Sequence, residues 1–181
     1  LLFPLAASRE GGFMAWNGGL RFLGAHACAK TAMFLTAGNI LHAAGHDRIK
    51  DLDGITHVLP VSVFAFGLAG MSLIGLPPSG GFAGKWLLLQ AALAQGQWWW
   101  VVVMILGSLL AAAYIVRMLA HAFTRVNEPT TPHAIPPVME GTALALALLA
   151  VVLGFASPWA AELLRVGAPV VGPIVTGGSV P

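Results

Sequence analysis

The sequence predicts an all-α fold, a polytopic bundle of transmembrane helices with one discontinuous (broken) helix. Three observations predict it. Of 181 residues, 57% are hydrophobic and only 9% charged, and the mean hydropathy is +0.83. A soluble domain carries about 25% charged residues, so this chain has too little polar surface to face water all round, and lipid is its natural solvent. Long apolar stretches recur between short polar segments. One stretch is interrupted by Pro77-Pro78-Ser79-Gly80-Gly81, two helix breakers followed by flexible residues.

In chain order, the opening Leu1-Leu2-Phe3-Pro4 has no initiator Met and no signal-peptide pattern, so the chain reads as a fragment whose first residues end an upstream apolar segment. The whole of 1–181 reads as a single transmembrane domain. Its first span is 20–44, about 37 Å long at the helical rise. The polar run His46-Asp47-Arg48-Ile49-Lys50-Asp51-Leu52-Asp53 belongs in water. The second span, 59–95, is broken at 77–81. Trp98-Trp99-Trp100 marks an interface, and the third span runs over 98–123, with Arg117, His121 and Arg125 near its end. Proline recurs from Pro129 to Pro137, and the last span is 138–157. In the tail only Trp159 to Val166 has an amphipathic pattern.

Charge parity decides how often 59–95 crosses. Cytoplasmic loops are rich in Lys and Arg. Arg48 and Lys50 form one positive segment, Arg117 and Arg125 the other. A single crossing by 59–95, followed by the return of 98–123, puts both on one side; two crossings put them on opposite sides. The rule favours one discontinuous span. Its freed backbone groups then need protein or water partners, and broken helices in transporters place such ends at ion sites.

Ionisable residues at membrane depth are functional candidates. Lys30 lies near the middle of the first span, where a lysine costs about 3 kcal/mol on insertion scales. His26, one turn earlier, shares its face, which is expected to point into the bundle. The pair could hand a proton along; the alternative for Lys30 is a packing ion pair or a snorkelling anchor. Lys85 follows the break by one turn. The positive dipole end of its half-helix works against the ammonium form, so it could bind and release a proton, unless it is an ordinary interfacial anchor. Tyr114 and Arg117 are secondary candidates, with snorkelling the simpler role for Arg117. Glu140 reads as a first-turn acid complementing a helix dipole. The histidines show no convincing metal-ligand spacing. Cys28 is the single cysteine, which excludes an intrachain disulfide and points to packing. Lys85 follows Gly84, but Trp86 stands where a phosphate loop has Ser or Thr, and no strand precedes it. A net charge of +2 without a basic patch gives nucleic-acid binding no support.

Two motifs carry a family resemblance. His26-Ala27-Cys28-Ala29-Lys30-Thr31-Ala32-Met33-Phe34-Leu35-Thr36-Ala37-Gly38 resembles a helix of the antiporter-like, proton-conducting subunits of NADH:quinone oxidoreductase (complex I), Mrp-type Na⁺/H⁺ antiporters and membrane-bound hydrogenases. Gly75-Leu76-Pro77-Pro78-Ser79-Gly80-Gly81-Phe82-Ala83-Gly84-Lys85 resembles the break of that family, and Tyr114-Ile115-Val116-Arg117 the end of its following helix. The likeness covers about residues 20–125. It implies about fourteen spans in the full subunit, built on two inverted repeats, with this chain holding the last part of the second repeat and the next helix. Lys85 would match the lysine of the second broken helix, where the proton exits. Lys30 would match the lysine linking the two half-channels. The first broken helix, with its own Lys and Glu, would lie upstream.

The resemblance further implies proton translocation within a complex I-like redox complex of a bacterial inner membrane. This chain would be a translocase subunit that binds no cofactor itself, neither NADH, flavin nor iron–sulfur cluster. Its partners would be other membrane subunits, lipid, and protons or Na⁺. A multi-subunit Na⁺/H⁺ antiporter without redox chemistry is the alternative. A non-transporting scaffold is the other, against which two lysines at depth speak.

Overall fold

The computed structural model describes residues 12–45, 54–124 and 135–155, which form helices and turns without a strand. The helices are α1 (Gly12–Ala44), α2 (Ile55–Val58), α3 (Pro60–Ile74), α4 (Gly80–Ala94), α5 (Trp98–Ala122) and α6 (Pro137–Val152). The chain start, the 46–53 segment, most of the Pro-rich loop and the tail lie outside the described residues.

α1 begins at Gly12, eight residues before the expected start of the first span. Gly18 and Gly19 lie inside this helix and are buried. A Cβ on Gly18 would stand 2.7 Å from Leu87 Cβ, so glycine lets α4 approach and tertiary contact overrides propensity.

α3 starts on Pro60, whose missing N–H costs nothing at a first helical position. It ends at Gly75, where φ is 86° and the N–H returns to Met71 O. Leu76 N–H also reaches Met71 O, closing a Schellman-type turn. The cis Pro77–Pro78 bond follows. α4 then starts directly after Ser79, whose hydroxyl accepts from Phe82 N–H at 3.2 Å. The break is therefore Gly75–Ser79. Gly80 and Gly81, expected within it, form the first turn of α4 because Ser79 caps the helix ahead of them.

α3 and α4 lie end to end along α1. Asn39 bonds Ser62 at 3.1 Å. Ala29 and Ala32 share a cluster with Ala65 and Ala69. Gly80 abuts Ala25, Gly84 abuts Phe22, and Gly18 abuts Leu87 and Leu88. Descending numbers on α1 thus meet ascending numbers on α3 and then α4, as one interrupted antiparallel rod. α5 returns alongside that rod: Val101 and Met104 pack on the Leu88–Ala91–Ala92 cluster, Ile115 packs on Gly70, and Thr56 donates to Ala122 O.

α6 closes the other side through alanines. Ala143, Ala147 and Ala150 join Ala29, Ala32, Ala65 and Ala69 in one seam, all fully buried. Small residues let helices approach in lipid, where no hydrophobic drive separates helix from tail. The α6 C-terminal turn reaches the break, and a Cβ on Gly154 would stand 2.2 Å from Pro78 O.

Among the described helices, α5 alone is both long and apolar enough to cross a membrane; α3 and α6 are apolar but shorter. α1 is more polar, carrying Arg21, His26, Lys30 and Asn39.

Candidate functional site: the helix break and its two cavities

The site starts from two missing protons. In an α-helix the carbonyl of residue i accepts from the N–H of residue i+4. For Leu73 and Ile74 those partners would be Pro77 and Pro78, which have none. Two carbonyls at the end of α3 are thereby left over, and a carbonyl buried without a partner is expensive. Lys85, on the second turn of α4, folds back across the break to supply the donors. Its Nζ donates to Leu73 O at 2.7 Å and to Ile74 O at 3.0 Å. The third donor goes to Ser108 Oγ on α5 at 2.8 Å. An ammonium has three donors and no acceptor, so all three are used.

This changes the electrostatic picture expected from sequence. The start of its own helix would put Lys85 at a positive dipole end. The ammonium instead sits at the C-terminal end of α3, among carbonyl oxygens and the negative end of that helix. The side chain is long enough to leave one helix end for the other.

Two backbone features make this possible. Gly75 carries no Cβ where one would stand 2.9 Å from Lys85 Cδ. A Cβ on Gly81 would fall 1.8 Å from Ser72 O, so only glycine lets the two half-helices meet this closely. Ser72 Oγ accepts from Gly81 N–H at 3.3 Å, a second tie across the break.

Lys85 and Ser108 stand between two cavities. One, of about 580 Å³, lies between α1, α4 and α5 and is lined by His26, Lys30, Lys85, Ser108 and Tyr114 among apolar residues. The other, of about 370 Å³, lies beside the break and is lined by Gly75, Leu76, Phe82 and Trp86, again with Lys85 and Ser108. Lys85, Met104 and Ser108 line both and form the wall between them.

His26 is half-buried, and its buried Nδ1 has no hydrogen-bond partner. Phe22 lies between it and the break: the two rings are 5.3 Å apart and Lys85 Nζ is 5.7 Å from the Phe22 centroid. Lys30 lines the larger cavity but is exposed, with Nζ 6.0 Å from the Phe34 ring. On the same helix Leu23 is 61% and Phe34 72% exposed among the described residues.

Tyr114 lines the larger cavity and is itself exposed. Arg117 is exposed and lines neither cavity. Glu140 falls in the first turn of α6, away from both cavities. No cluster of metal-ligating side chains occurs among the described residues. Ser108 and Phe22 escaped the sequence reading. Ser108 had a signal, as the single hydroxyl in the run from Trp98 to Ala113.

Residues 3–111 match the family model described as "NADH:quinone oxidoreductase/Mrp antiporter, TM". NADH-quinone oxidoreductase subunit N of Desulforudis audaxviator is 34% identical over 80% of this chain and 32% of its own length. Formate hydrogenlyase subunit 3 of Escherichia coli is 32% identical over 84% of this chain and 27% of its own. In fold, a chain of the Mrp complex from Dietzia sp. superposes with a TM-score of 0.75 at 25% identity, covering 84% of this chain and 37% of that one. The chain thus spans about a third of the length of the curated relatives it matches. A helical fold, a membrane location and a match over more than half its length agree: the chain belongs to the transmembrane subunits of the NADH:quinone oxidoreductase/Mrp antiporter family.

Proposed function

We propose that this chain conducts protons across a bacterial inner membrane as part of a subunit of a complex I-like NADH:quinone oxidoreductase or related redox complex. The observation that carries the reading is Lys85: a lysine ammonium held at a helix break, in the wall between two cavities, one of which it shares with His26 and Lys30. A transmembrane ionisable group at a broken helix is the arrangement by which transporters hold ions. On this reading the protein is a multi-pass bundle in which 60–94 crosses once as a discontinuous helix. The end-to-end course of α3 and α4 along α1 supports that. The route runs through His26, Lys30 and Lys85; the chain binds no cofactor, and redox chemistry belongs to partner subunits.

The test is proton uptake by reconstituted vesicles carrying the assembled complex with the full-length subunit. Lys85→Ala loses most pumping. Because Lys85 also ties the break, Lys85→Arg is the decisive companion. Arginine keeps a charge and several donors but stays protonated, so the complex assembles and still fails to pump. Unchanged stoichiometry in both variants, with assembly intact, would reduce Lys85 to a structural tie.

The likeness to an Mrp complex favours a second reading, a Na⁺/H⁺ antiporter subunit without redox chemistry. Under it, proton movement follows an imposed Na⁺ gradient and needs neither NADH nor quinone.

A further inference from the structure

We infer that Ser108 is a positioning and relay residue whose hydroxyl reverses direction as Lys85 loses and regains its proton. The inference rests on the reading of Lys85 as a proton carrier. Lys85 has three partners and they are not equivalent. The carbonyls of Leu73 and Ile74 can only accept. The Ser108 hydroxyl, at 2.8 Å, can accept or donate. The ammonium uses three N–H groups on three acceptors. The neutral amine keeps two N–H groups, enough for the two carbonyls, and gains a lone pair. Ser108 can turn its O–H toward that lone pair. Lys85 and the two carbonyls then keep their partners in both protonation states, and α3 and α4 need not part when the proton moves.

The same geometry sets the partner through which the proton travels. The carbonyls end the hydrogen-bond chain, because neither can pass a proton on. Ser108 faces both cavities, as Lys85 does. In one concerted step the N–H bond toward Ser108 breaks as a bond to Ser108 oxygen forms, and Ser108 releases its own proton to a water molecule in a cavity. The products are the neutral amine, an intact hydroxyl and hydronium; reversal restores the start. Ser108 thus links the cavity containing His26, Lys30 and Tyr114 to the cavity beside the break.

A pair of isosteric substitutions tests this in the assembled complex with the full-length subunit. Ser108→Thr keeps the hydroxyl, and Ser108→Val has nearly the same shape without it. Both add bulk to α5, so a packing role predicts equal effects. The relay predicts that Thr pumps within about twofold of the parent while Val loses tenfold or more, at equal assembly. The pH profile of pumping should also change in Val and not in Thr; His26 and Lys30 from α1 and Tyr114 from α5 face the same cavity and are common to both variants. Equal pumping by Thr and Val, whether high or low, would overturn the relay. Loss in Lys85→Arg with retention in Ser108→Val would sink the relay alone, whereas retention in Lys85→Arg would sink the underlying reading.

Discussion

Pro77 and Pro78 withhold two backbone donors, and a side chain eleven or twelve positions beyond the stranded carbonyls replaces them. Arithmetic at this scale is local: one missing N–H per proline, one ammonium N–H per carbonyl. The glycines around the break answer a different demand, distance. Gly81 has backbone oxygen where a Cβ would go, and backbone cannot swing aside as a long side chain can. Overpacking of this kind costs roughly 1–3 kcal/mol or more. Gly81→Ala should therefore lower the thermal stability of the subunit and its level in membranes. Gly24→Ala, which meets nothing within 4 Å, should leave both unchanged. Equal behaviour of the two variants in a thermal-shift assay on purified complex would refute the contact. The pair Pro77-Pro78 was legible as a break from the sequence alone. That Lys85 would tie it was not, because the dipole of its own helix pointed to the opposite environment and only the fold shows how far back the side chain reaches.

At the scale of elements, α3 and α4 read as one rod in two pieces. Each has 15 residues, about 22 Å by helical rise, short of the roughly 30 Å hydrocarbon thickness. Together, end to end, they exceed it. Labelling from the two sides of the membrane checks the single crossing. With Cys28 replaced by Ala, a cysteine at His46 and one at Arg125 should react from the same side, and one at Ala94 from the other. Reaction of positions 46 and 125 from opposite sides would require two crossings. The charge pattern of the sequence had already favoured one crossing, since it needs only counts and order. The limits of the elements were less legible. α1 runs through Gly18 because it meets α4, and α4 takes in Gly80 and Gly81 because Ser79 caps it. Both are contacts with residues that periodicity does not see.

Across the whole molecule, two kinds of packing hold the helices. Larger side chains, Ile40, Val63, Phe66, Ile115 and Met118 among them, fill the end of the bundle where α1, α3 and α5 meet. Alanines form the seam of α1, α3 and α6. Asn39 and Ser62 add a buried hydrogen bond between α1 and α3, and such bonds in membrane proteins average only about 0.6 kcal/mol, so close packing dominates. Ala147→Leu would drive a branched side chain into a fully buried position, at roughly 1–3 kcal/mol, and would push α6 away from the break its last turn covers. Reduced heat stability with normal subunit stoichiometry is the expected result; a melting temperature equal to the parent's would show that the seam yields. Bundle membership was readable from composition. The seam was not, because alanine suits any helix face and its burial depends on which neighbours arrive.

The spacing of the break's partners along the chain also orders events during synthesis. Lys85 leaves the ribosome 12 residues after Leu73 and 11 after Ile74, about 0.6–2.4 s at elongation rates of roughly 5–20 residues per second. Ser108 follows 23 residues after Lys85, and Gly154 much later still. The two stranded carbonyls can thus be tied by the nascent rod itself before α5 or α6 enters the bilayer. A translocating segment with open carbonyls would have to recruit water or lipid headgroups while it waited. This one carries its own temporary closure, to which α5 adds the hydroxyl and α6 the lid, in the order in which they are made.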